Sequence, residues 1–170
     1  MQVVKNIFIA LVSLLLAIVI FMPKQELYYK LEKSLDSYGI ILNEKKIDEN
    51  LFALDMSDID VYAEGIKVAH IDNIHCFIGI FYNYIDISGV VFDKSLKSFV
   101  PLKITKADIT ASILNPTQAT IGIDGDFGKA KGYVNINGVL HLDIIDVKDI
   151  KAFKRSLHKN GNGWYYETKF

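Results

Sequence analysis

Lys106-Ala107-Asp108-Ile109-Thr110-Ala111-Ser112-Ile113 is the stretch that decides the fold class. Ala107, Ile109, Ala111 and Ile113 alternate with Lys106, Asp108, Thr110 and Ser112, and a period of two residues puts one set on each face of an extended strand. A strand of this kind is buried on one side and wet on the other. The same alternation recurs outward in both directions. Ile59-Val61-Ala63 alternates with Asp58-Asp60-Tyr62, Ile85-Ile87 with Asp86-Ser88, and Ala119-Ile121-Ile123 with Thr120-Gly122-Asp124.

Turn signals separate the runs: Glu64-Gly65, Asp72-Asn73, Asn115-Pro116, Asp124-Gly125 and Asn137-Gly138. Glycine tolerates positive φ, and Asn and Asp bond to their own backbone two residues on, so each pair favours reversal. With about 8–15 residues between signals and no helical stretch among them, neighbouring strands join antiparallel as a meander. At Asn137-Gly138 the parity of Val134, Ile136, Leu140 and Leu142 runs straight through the signal. Strand length decides for a hairpin over one long kinked strand. The tail Gly163-Trp164-Tyr165-Tyr166-Glu167-Thr168-Lys169-Phe170 has strand composition and is placed to close the sheet.

Two helices flank these strands. Over residues 24–38, Leu27, Leu31, Leu35 and Tyr38 form one apolar stripe and Gly39 supplies a stop. Over residues 147–159, Val147, Ile150, Phe153 and Leu157 make a second stripe, with Asp146 as N-cap, Asp149 in the first turn and Asn160-Gly161 at the end. The expected fold is therefore mostly β, an antiparallel meander of about seven to nine strands with two short helices. A sheet of that size has an apolar face to hide. It either closes into a sandwich or barrel, curves into a groove that holds an apolar ligand, or docks on a partner.

The N-terminus differs in kind. Ile7 to Met22 contains only Ser13 as a side chain able to hydrogen-bond, and as a helix it is about 24 Å long. Val3 and Val4 extend it, Lys5 can reach the headgroups, and Pro23 ends it. The expectation is a single-pass signal anchor over residues 1–23, with Ile7, Leu11, Leu15, Val19 and Met22 in the bilayer, and one mostly-β domain over 24–170. A cleaved signal peptide is disfavoured, because Val19-Ile20-Phe21-Met22-Pro23 lacks the small residues that signal peptidase requires. The short N-terminal tail leading into an apolar run is the pattern of an anchor that exports the domain C-terminal to it. Charge counting near the two ends does not set the orientation.

Composition excludes several functions. The net charge of −1 is the wrong balance for a nucleic-acid partner. The one cysteine, Cys76, rules out an intrachain disulfide. His70, His75 and Cys76 are metal-ligand types, but His75 and Cys76 fall on opposite faces of a strand and no second Cys/His pair completes a site. Asp124-Gly125-Asp126-Phe127-Gly128 is a turn, since a calcium loop needs a third acid and a glutamate where Asn135 stands. There is no nucleophile elbow, phosphate loop or zinc-protease motif, and Asp55, Asp58, Asp60, Asp86 and Asp108 lie on the polar parity where solvated residues belong. No catalytic residue, metal or cofactor is expected, and the chain reads as a non-enzyme. Lys148, Lys151, Lys154 and Arg155 form a basic group that either meets an anionic membrane surface or is simply solvated.

The N-terminal anchor, the short helix running into Tyr38-Gly39-Ile40, and the succession of amphipathic strands resemble the type II secretion system protein N family and its AsmA-like relatives. Residues 119–128 and then Gly132-Tyr133-Val134-Asn135-Ile136 are similar to their strand–Gly–strand repeats. The resemblance is one of pattern over roughly residues 5–145. It implies a bacterial inner-membrane protein whose periplasmic β-groove serves secretion-machine assembly or lipid passage, with secretion proteins or phospholipid as partners besides the bilayer. Three functions are consistent with this: a secretion accessory, a lipid-binding or lipid-transfer module, and a tethered scaffold with no apolar ligand.

Overall fold

A computed structural model describes residues 2–98, 100–151, 153–161 and 163–169, with Val3, Lys97 and Ser98 as backbone only. Helix α1 (Gln2–Ile20) leads through Pro23 into α2 (Lys24–Asp36). Next come β1 (Ile40–Glu49), β2 (Ala53–Ala63), β3 (Ile66–Ile78), β4 (Tyr82–Phe92), β5 (Lys103–Ser112), β6 (Asn115–Gly125), β7 (Gly128–Asn135), β8 (Val139–Val147), β9 (His158–Asn160) and β10 (Gly163–Lys169). All pairings are antiparallel, in the order β1-β2-β3-β4-β5-β6-β7-β8-β10-β9. Among the described residues ten strands form one open sheet, more than the seven to nine expected, with β1 and β9 as its edges rather than closure into a sandwich or barrel.

The cross-strand register builds one continuous apolar face. Leu54 pairs with Cys76, Cys76 with Ile85, Ile85 with Ile109 and Ile109 with Ile121. A second row runs Met56–Ile74–Ile87–Ala107–Ile123–Ala130–Ile144–Trp164. The hairpin at Asn137-Gly138 is present: Gly138 has φ +74°, and Asn135 Oδ1 accepts from the amides of Asn137 and Val139.

Beyond the second row, the alternation slips by one residue at the same level in three strands. Past Met56, Ile74 and Ile87, the next inward residues are Ile59, Ile71 and Val90, each three positions away rather than two. Asp58 (φ +58°) and Gly89 (φ +68°) absorb the change in β2 and β4. Without it Ile59, Ile71 and Val90 would turn to the polar side, because one residue of phase reverses every side chain beyond it. Ile59 is instead fully buried.

Two patches of the apolar face are covered. At one edge α2 lies on β1 and β2, where Tyr28, Leu54, Met56 and Ile59 form a core. Near the other edge, Phe127, Ala130, Ile150 and Phe153 form a second, with Leu157 and Trp164 against it.

The helix expected over 147–159 is absent. β8 continues to Val147, which pairs with Gly128, and the Lys148 amide bonds to the Phe127 carbonyl. Beyond it the described residues form a strap with a short 3-10 turn at Lys154–Ser156, so Asp146 is a strand residue rather than a cap. Ile150 and Phe153 plug the sheet from this strap, and Val147 is exposed.

The helix expected over 24–38 is present but rests on a different side. Lys24 and Tyr28 are its buried residues, whereas Leu27, Leu31 and Tyr38 are exposed. The Tyr28 hydroxyl donates to Glu44 Oε2 at 2.9 Å and rotates that face onto β1. Burial first, and then this bond to a carboxylate, push the phenol well above its ordinary pKa.

No described helix is by itself long and apolar enough to cross a membrane; Val4–Ile20 and Lys24–Asp36, bent by 55°, pass that test only together. Ile7, Leu11 and Leu15 are exposed, and Val19 is buried against protein at 7%.

Candidate functional site: an apolar trough

Between the two covered patches the apolar face is open. Its floor is Ile74, Cys76, Ile85, Ile87 and Ile109, and its wall is the α2 stripe of Leu27 and Leu31. Those two leucines are 45% and 55% exposed, so a stripe with the spacing of a core face is not one. The cavity measures about 430 Å³, within the usual range for small-molecule sites. Its lining is almost wholly apolar, with Asn83 at the end near the β3–β4 turn. A second groove of about 400 Å³ shares Asn83 and Ala111 with it and continues along Ile113, Val134 and Ile136.

Cys76 sits on the trough floor, and burial raises its thiol pKa, the opposite of an activated nucleophile. His75, its neighbour, is on the other side of the sheet, where Nδ1 bonds Asp55 and Nε2 lies 3.1 Å from the Tyr84 hydroxyl. The remaining candidates also lie on that polar side. His70 Nδ1 is 2.7 Å from Asp60, and its Nε2 is 3.6 Å from Asp58 and 3.5 Å from Asp72. Asp60 is held below the ordinary carboxylate range by Lys67 first and His70 second. Asp86 and Asp108 face each other across β4 and β5, with Asp86 paired to Lys106 at 2.7 Å. Among the described residues no three His, Cys, Asp or Glu side chains are grouped to hold a metal ion.

A third histidine, not among the candidates that the sequence singles out, is the most built of these sites. His141 stacks between Tyr133 and Tyr165, with ring centroids at 5.6 and 5.4 Å, and bonds Glu167 at 2.8 Å. The Glu167 bond, with Asp143 adding to it, lifts the imidazole above its ordinary value of 6.5. No sequence motif marks it, since its partners come from three strands.

Lys148, Lys151, Lys154 and Arg155 are exposed on the strap rather than on a helix. Lys154 and Lys159 lie over the Trp164 ring, 4.9 and 5.6 Å from its centroid.

No family model, curated protein or solved structure matches this chain.

Proposed function

We propose that the chain is a membrane-tethered, non-enzymatic lipid-binding module, with α1 in a bilayer and an acyl chain lying along the trough. One observation carries this reading: the central floor of Ile85, Ile87 and Ile109 belongs to neither core, while α2 covers the apolar face on one side of it, where Ile74 and Cys76 meet its core, and the strap covers the other. Bare apolar surface costs roughly 25 cal/mol per Å² in water, so a face that evolution had only to bury would carry a longer strap. The bacterial inner membrane, an exported domain and service to envelope transport come from the family resemblance and belong to the same proposal. The secretion-accessory reading draws support from a different feature, the ten-residue strand β1 at the edge of the sheet, the position where a partner strand adds.

The test is to purify the full chain in mild detergent and identify co-eluting lipid by mass spectrometry, then to titrate a long-chain fatty acid. Acyl lipid in about one-to-one ratio, and a melting temperature that rises with ligand as mass action requires, is the expected result. A chain that elutes lipid-free and does not respond to the fatty acid overturns the lipid reading. A co-purifying protein partner would then favour the accessory. Full-length protein extracted by carbonate would remove α1 from the bilayer.

A further inference from the structure

We infer that the domain stands end-on against the bilayer that holds α1, dipping one set of turns into the lipid interface so that the trough opens at the membrane. The inference rests on α1 lying in that bilayer, and concerns what the rest of the chain does there.

An antiparallel meander sorts its turns to two ends. One end carries the turns at residues 50–52, 79–81, 113–114 and 136–138. Their tips are Leu51, Phe81, Leu114 and Ile136, all exposed, with Leu114 at 92%, and Phe52, Tyr82 and Ile113 stand beside them. Not one residue of these four turns is charged. The turns at the other end carry Glu64, Asp93, Lys94, Asp126, Lys148, Asp149 and Lys151. The turns are therefore asymmetric in charge as well as in apolar exposure, and the charges at the apolar end stand on strand termini, Glu49 of β1 and Lys169 of β10. Exposed apolar tips with aromatic side chains and no charge suit the headgroup–acyl boundary.

The exit of α1 lies at the same end. Glu49, the last residue of β1, accepts from the Lys24 and Gln25 amides, which fixes the start of α2 beside the first of these turns. From there α2 runs back along the sheet, and α1 departs in the other direction at 55° to it. A bilayer around α1 thus meets the apolar turns and not the charged ones. Both grooves reach this end, through Ile78 and Asn83 in one and Ile113 and Ile136 in the other. A lipid chain can then pass from leaflet to trough without crossing water. The basic residues Lys148, Lys151, Lys154 and Arg155 sit at the far end and are solvated, not membrane-bound.

The test uses the full chain with Cys76→Ala, reconstituted in phosphatidylcholine vesicles and labelled with an environment-sensitive fluorophore at one introduced cysteine: Leu114→Cys, Lys94→Cys or Phe8→Cys. Lipids brominated on the acyl chains report depth by quenching. Quenching at 114 roughly threefold or more above that at 94 is expected for tips about 5–10 Å into the interface, with position 8 quenched most. Quenching at 8 but at neither 114 nor 94 overturns end-on docking and leaves the tether intact. Equal quenching at 114 and 94 overturns it in favour of a domain lying on its side. No quenching at 8 removes the tether and the inference with it.

Discussion

Glu49 holds Lys24 in two ways: one carboxylate oxygen accepts the Lys24 backbone amide at 3.1 Å and lies 3.8 Å from its ammonium, whose side chain is 1% exposed. The other oxygen takes the Gln25 amide at 3.3 Å. A glutamate from β1 therefore serves α2 as the cap its own preceding residue, Pro23, has no side-chain group to supply. It also neutralises a lysine buried at the elbow between the helices. Glu49→Gln keeps the shape but leaves an uncompensated buried charge, and should lower stability by about 3 kcal/mol in urea titration. Adding Lys24→Met to that variant should recover most of the loss. Equal losses in the single and double variants would show that the capping bonds, not the ion pair, dominate.

Gly89 and Asp72 test the phase slip. A Cβ at Gly89 would stand 1.8 Å from Asp72 Oδ2, and the backbone there is left-handed at φ +68°. Gly65 is also left-handed, at φ +80°, but has open space around it. Gly65→Ala should cost about 1 kcal/mol from backbone strain alone, and Gly89→Ala clearly more, about 2–4 kcal/mol. Asp72→Ala combined with Gly89→Ala should return part of the difference. If both glycines tolerate alanine equally, the slip is not locked by this contact.

The strand from Ala107 to Ser112 was legible because period two needs only local information, whereas Asp72-Asn73, which reads as a turn in sequence, lies inside β3 at the level of the phase slip and reverses nothing. The slip was half legible. Asp55 and Asp58 have opposite parity in sequence yet both belong to the polar side, and only a change of phase between them allows that. The strap looks helical in sequence for a physical reason. Val147, Ile150, Phe153 and Leu157 are spaced as a helix face would be, but a strap that plugs two holes three residues apart writes the same pattern. The α2 stripe misleads in the opposite sense, since Leu27 and Leu31 keep helical spacing while lining the open trough. Which side of an amphipathic helix is pressed down is decided here by the Tyr28–Glu44 bond across 16 positions, which no local window contains. Whether the sheet would close was not legible at all, because strands in a barrel and in an open sheet alternate alike.

His141 makes stability depend on pH. Its folded pKa lies above the unfolded value near 6.5, chiefly through Glu167. The protonated imidazole is thus favoured in the folded state, so this contribution is fully present below pH 6.5 and is lost as pH rises through the folded pKa. Between pH 6 and 8 the melting temperature should fall, and Glu167→Gln should flatten that slope. A slope unchanged in Glu167→Gln would assign the dependence to another group.

Ile109 and Met56 share the apolar face but not its cover, and this separates an open trough from an ordinary core. Met56 is buried under α2, whereas Ile109 lies half-buried on the trough floor. Met56→Asp puts an unpaired charge into a closed core and should cost upwards of about 4 kcal/mol. Ile109→Asp places the carboxylate where water already reaches, and should cost only about 1–2 kcal/mol. Thr110→Asp, one residue along on the polar side, should cost under about 1 kcal/mol. Fatty-acid binding should show a different order. Ile109→Asp sets a charge against the bound chain and should weaken binding at least about tenfold, equivalent to about 1.4 kcal/mol, while Thr110→Asp leaves it unchanged. Denaturant titration and fatty-acid titration on the same three proteins make the comparison. Equal destabilisation at Ile109 and Met56 would mean the floor is closed in solution, and would leave the trough without room for a lipid.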